Sequence, residues 1–131
     1  MLLAILRLGF GLLTFTAIGS QLRTLANAGT LDIVNFFSYF TILSNLIGAT
    51  LLVVGALRWR TGDDAMIDLL RGAAVVYLAV TFIVFAVLLS NTDVDLATSW
   101  VNTVLHELIP IVVLIDWLVD PPFVRLSMRQ V

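Results

Sequence analysis

"IVNFFSYFTILSNLIGATLLVVGAL", residues 33–57, runs for 25 residues without a charge between Asp32 and Arg58. About 20 apolar residues suffice to cross a hydrocarbon core about 30 Å thick, so this stretch is long enough to span a bilayer. Its first half nonetheless carries Asn35, Ser38, Tyr39, Thr41, Ser44 and Asn45. Lipid offers such groups no hydrogen bonds, so they must find partners within the protein. The stretch therefore fixes the class as a membrane protein, and it predicts a polar helix face turned toward other helices.

The rest of the chain agrees. Of 131 residues, 60% are hydrophobic and 12% charged, more apolar surface than an ordinary soluble domain of this length can hide. The expected fold is all-α: a single domain, residues 1–131, forming a polytopic bundle of four spanning helices at about Leu2–Leu22, Asp32–Leu57, Leu69–Ser90 and Thr98–Val119. The alternating ten-residue segments of an outer-membrane barrel do not occur. Short connections, Arg23–Leu31, Arg58–Asp68 and Asn91–Ala97, make sequential helices antiparallel neighbours. Pro121 and Pro122 end the fourth helix. A signal-peptide reading of the first segment is weaker than a retained helix, because Arg7 follows five apolar residues instead of preceding the apolar core.

Charge sets the expected orientation and removes several function classes. All seven cations are arginines, and the net charge is −2, with no basic patch for nucleic acid. Arg7, Arg58, Arg60, Arg71, Arg125 and Arg129 share one side if the amino terminus is inside, leaving Arg23 on the other, so both termini are expected in the cytoplasm. The absence of cysteine excludes disulfides and thiolate chemistry. Asp116, buried near the arginine-rich end, needs a cation, and Arg7 or Arg71 is at the right level. Trp59, Trp100 and Trp117 read as interfacial anchors.

Helical spacing places Ser38, Thr41, Asn45, Gly48 and Gly55 on one stripe of the second helix. Ser99, Asn102, Thr103 and His106 form a matching face on the fourth. The plain reading of such a stripe is close packing with interhelical hydrogen bonds, and a membrane threonine most often bonds the preceding turn of its own helix. Depth sharpens the comparison. Both helices begin on the same side, with Thr41 about nine residues in and His106 about eight, so at 1.5 Å per residue each lies roughly 12–14 Å deep. Pro110 cannot donate to the carbonyl four residues back, His106's own, which predicts a kink and an opening beside the only histidine. Glu107 lies about 100° around the helix from His106 and cannot be its orienting carboxylate.

A hydroxyl attacks an acyl carbon once a base takes its proton, and a neutral imidazole within reach does that. Thr41 and His106 are the candidate nucleophile and base, with Ser38, Asn45 or Asn102 as donors to the developing oxyanion. A site at this depth receives its substrate through lipid, which suits a lipid ester. The alternative is a non-catalytic bundle, a small transporter or lipid-binding protein, whose path is lined by Asn35, Glu107 and Asp116. Haem is a poorer fit, since one histidine per chain gives two axial ligands only across a dimer.

"FFSYFTILSNL", residues 36–46, followed by "HELIPIVVLIDWL", residues 106–118, resembles the androgen-induced-gene family of multipass membrane threonine hydrolases and its small bacterial relatives. The resemblance covers both helices and their order. It implies cleavage of fatty acid esters of hydroxy fatty acids, with Thr41 in the position of the nucleophile and His106, followed by Pro110 and Asp116, in that of the histidine. It also implies a bacterial inner membrane, a membrane lipid or lipid-ester substrate as partner, and neither metal nor other cofactor. That family has six spanning helices where this chain has four, so either four suffice, or a second copy completes the bundle as a homo-oligomer, or the chain is a fragment.

Overall fold

The computed structural model describes residues 1–58, 64–89 and 99–122. Trp59, Arg60, Arg125, Arg129 and the expected helix ends at Ser90 and Thr98 lie outside the described residues. Helix α1 is Leu2–Asn27, α2 is Ile33–Ser38 and α3 is Phe40–Leu57. Helix α4 is Ala65–Val84, continued by the π-helical turn Phe85–Leu89. Helix α5 is Ser99–Val119, with a π-helical turn at Val104–Leu108. Four of these are long and apolar enough to cross a membrane: α1, α3, α4 with its π turn, and α5. The protein is an all-helical integral membrane bundle.

Two boundaries differ from the sequence expectation for physical reasons. Helix α1 runs five residues past Leu22, to Asn27, and ends where Gly29, at φ 69°, reverses the chain. Helix α4 starts at Ala65, four residues earlier than expected, because the Asp64 carboxylate caps the Met66 amide. The interior of the expected second helix departs more. It is broken at Tyr39, whose backbone is extended (φ −65°, ψ 126°). Asp32 caps α2 by accepting from the Asn35 amide, and the Ser38 hydroxyl donates to the Asn35 carbonyl within the same short turn. Phe36, 3% exposed, pins α2 to the core.

Helix α1 packs on α3, α3 on α4, α4 on α5, and α5 closes the ring on α1. The α3–α5 diagonal is also in contact. Leu52, Leu78, Ile109 and Val113 fill the centre, while Leu6, Leu12, Val76, Val87 and Leu118 face outward, as lipid-exposed surfaces require. The α1–α3 contact depends on Gly11. A Cβ there would lie 2.7 Å from Val53 Cγ2 and 3.1 Å from the Ala49 carbonyl oxygen, a backbone atom that cannot swing aside. Gly11→Ala is expected to cost about 1–3 kcal/mol through overpacking, read as a lowered thermal midpoint in detergent. Gly9→Ala, where nothing lies within 4 Å, serves as the control and should change little.

At the arginine-rich end, one ionic cluster ties three helices together. Asp116 of α5 accepts from Arg7 Nε of α1 at 2.6 Å, from Arg7 Nη2 at 3.1 Å and from Arg71 Nη2 of α4 at 3.1 Å. Both arginines named from the sequence therefore reach it. Arg7 also meets Asp120, and Arg71 meets Asp68 and the Asp120 backbone carbonyl. Trp117 is no simple interfacial anchor. Its ring lies under the Arg71 guanidinium, and a Cβ on Gly72 would come within 3.1 Å of it.

Candidate functional site

Thr41 Oγ1 and His106 Nε2 are 3.3 Å apart across the α3–α5 diagonal. The local fold explains why this hydroxyl is available. Thr14, Thr16, Thr24, Thr50 and Thr81 each donate to the carbonyl four residues back in their own helix. Thr41 sits two residues beyond the break at Tyr39. The first helical bond of α3 is Leu43 N–H to the Tyr39 carbonyl, so the carbonyl four residues behind Thr41 belongs to α2 and is out of register. The Thr41 side chain turns to the imidazole instead.

His106 is held from two other directions. Its Nδ1 lies 3.2 Å from the Asn102 backbone carbonyl, an acceptor only, so Nδ1 carries the proton and the Nε2 lone pair faces the Thr41 hydroxyl. Phe85 stacks on the ring with centroids 4.6 Å apart and planes at 30°. Phe85 begins the π turn of α4, and His106 lies within that of α5. Sequence reasoning missed Phe85; nothing distinguishes it from neighbouring apolar residues without a structure.

Pro110 acts one residue earlier than its spacing from His106 predicts. The carbonyl that finds a side-chain partner is Leu105's, not His106's: Asn45 Nδ2 donates to it at 3.0 Å. Through this turn the register is i to i−5, as the Ile109 amide bonding the Val104 carbonyl shows. In that register the amide absent from Pro110 would have served Leu105. Asn45 thus repairs the ladder that proline interrupts.

Of the three candidate oxyanion donors named from the sequence, Asn45 and Asn102 lie beside the pair and Ser38 lies outside it. Asn45 donates to the Thr41 carbonyl at 2.8 Å as well as to Leu105, so both its amide hydrogens are engaged. Ser44 supports the same carbonyl at 3.1 Å and bonds Thr81 of α4. Asn102 sits one turn before His106, and its side-chain amide makes no hydrogen bond among the described residues. Ser38 is exposed and committed to Asn35, away from the pair. Glu107 is exposed, off the His106 face. The break supplies donors that sequence reading did not foresee. The amides of Thr41 and Ile42 open α3 with no helical acceptor behind them, and the positive end of the helix dipole lies there.

No group of three or more metal-ligating side chains occurs among the described residues. Comparison with protein-family models, with curated proteins and with solved structures finds no match to this chain.

Proposed function

We propose that this chain is an intramembrane hydrolase of lipid esters, of the fatty acid ester of hydroxy fatty acid type, in a bacterial cell membrane. Thr41 is the nucleophile and His106 the base. One observation carries the reading: the Thr41 hydroxyl forgoes the self-bond that Thr14, Thr16, Thr24, Thr50 and Thr81 make and pairs with the lone-pair nitrogen of the only histidine. The resemblance of residues 36–46 and 106–118 to the threonine hydrolases supports the same assignment.

The chemistry follows from the geometry. His106 Nε2 takes the hydroxyl proton as Thr41 Oγ1 bonds the ester carbonyl carbon. Negative charge builds on the carbonyl oxygen, and the unpaired amides of Thr41 and Ile42, with Asn102 Nδ2, are the donors at hand. The carbon–oxygen bond to the alcohol breaks, and the alcohol leaves with the proton from His106. Water then attacks the acyl–threonine ester, giving the fatty acid and free Thr41. Asn45 positions the nucleophile by clamping its carbonyl and touches no substrate.

The transporter alternative needs a continuous polar route. His106 and Asp116 are ten residues apart, about 15 Å along α5, and buried Leu52, Leu78, Ile109 and Val113 occupy the interior of the bundle. Glu107 is exposed and lines no route. The test is covalent labelling with a lipophilic fluorophosphonate in proteoliposomes. Wild-type protein gains one adduct on Thr41, and Thr41→Val, which keeps the shape and removes the hydroxyl, gains none. An adduct retained by Thr41→Val would end the proposal.

A further inference from the structure

Among the described residues, three amide oxygens are buried without a hydrogen-bond partner: Gln21 Oε1, Asn45 Oδ1 and Asn102 Oδ1. Gln21 is 3% exposed and Asn45 wholly buried. Interior amide oxygens are normally paired, and where protein donors do not reach them, bound water serves. The orientation of Asn45 is fixed, because its nitrogen already faces two carbonyls.

Helix register sets the three at about the same depth. Arg7 of α1 meets Asp116 of α5, and the two helices are antiparallel. Fourteen residues along each, from 7 to 21 and from 116 to 102, lead to Gln21 and Asn102 at nearly one level, about 20 Å away, the π turn at Val104–Leu108 shortening the α5 path slightly and turning Asn102 off the regular α-helical face. Contact between α1 and the Ser99–Thr103 turn agrees with that register. On the α3 side, Gly11 opposes Ala49 and Val53, and Gly55 opposes Arg7. The same counting sets Gln21 level with Thr41. Asn45 bonds the Leu105 carbonyl, and the Asn102 carbonyl faces His106 Nδ1.

We propose that Gln21, Asn45 and Asn102 form a water-binding pocket beside His106 that holds the water needed for ester cleavage. The pocket is inferred from the unpaired oxygens and their common depth; its role in hydrolysis rests on the function proposed above. Three acceptors from three helices hold O–H donors at a depth where lipid supplies none. In the second half of the reaction the water oxygen bonds the acyl carbon of the Thr41 ester. The bond from that carbon to Thr41 Oγ1 breaks. The water's proton passes to His106 Nε2 and on to Thr41 Oγ1, so a carboxylic acid and the free hydroxyl result.

Because the chain lacks cysteine, single thiols can be placed without background. N-ethylmaleimide crosses lipid but alkylates only a thiol that water can ionise. In proteoliposomes, Gln21→Cys and Asn102→Cys are expected to be alkylated at least about tenfold faster than Ala17→Cys, a fully buried site one turn away, as read by intact mass. Rates at both positions as slow as at Ala17→Cys would overturn the pocket. Gln21→Met adds a second readout. It keeps fluorophosphonate labelling of Thr41 but accumulates acyl-enzyme during ester turnover. Labelling retained with deacylation unchanged would separate the pocket from the reaction. Fast alkylation in a protein whose Thr41 takes no fluorophosphonate would remove the hydrolase and leave the water site standing.

Discussion

His106→Gln is expected to lower kcat for a lipid ester by about 10²–10⁴-fold, the usual contribution of a positioned base, with KM little changed. Glutamine reaches from the same backbone and can still hydrogen-bond the Thr41 hydroxyl, but it cannot carry a proton away. The loss should fall on kcat because in the proposed mechanism the imidazole acts on the developing alkoxide and not on bound substrate. His106→Ala should be equally slow, and would also leave Phe85 without the ring it stacks on. A thermal midpoint for each variant separates lost chemistry from lost folding. Thr41→Ser is the complementary variant: it keeps a hydroxyl at the start of α3 and should retain activity that Thr41→Val lacks. Turnover by His106→Gln within a few-fold of wild type would show that no base is needed there, and the dyad would be discarded.

Much of this arrangement was legible before any coordinates. Helix count followed from uncharged length, and the common depth of Thr41 and His106 from a rise of 1.5 Å per residue. The pairing of Asp116 with Arg7 and Arg71 followed from the cost of an unpaired charge. The illegible features are those where the backbone leaves the regular α-helix. Nothing in "FFSYFT" is a proline or glycine, so the break at Tyr39 had no conventional signal. The local side-chain bonds of Asp32 and Ser38 lie within the short turn before it. The π turn at Val104–Leu108 moved the orphaned carbonyl by one residue, which counting in fours misses. Gln21 carries no charge and sits at the end of the first apolar stretch, where a polar residue draws no notice. Positions 7, 14 and 21 share a face, and that spacing was the available clue.

Asp116→Ala is expected to destabilise the bundle by about 3–5 kcal/mol, the cost of stripping a buried ion pair of one member. The carboxylate is 11% exposed, and the Arg7 and Arg71 side chains that converge on it are 9% and 13% exposed, so water screens the cluster poorly. Removing Asp116 leaves both guanidiniums near each other, with Asp68 and Asp120 remaining, and Asp120 is 46% exposed. The three helices joined there, α1, α4 and α5, lose their common partner. Asp116→Asn should cost less, since the amide oxygen can still accept from one arginine. Arg7→Met combined with Asp116→Leu should be less damaging than Asp116→Ala alone, because it removes a charge from each side and replaces them with apolar volume. Arg71 keeps Asp68 and the Asp120 carbonyl in that double variant. Equilibrium unfolding of the full chain in detergent micelles supplies the measurement. Additive losses in the double variant would mean that Arg7 and Asp116 stabilise the fold independently, which their 2.6 Å contact and shared burial contradict.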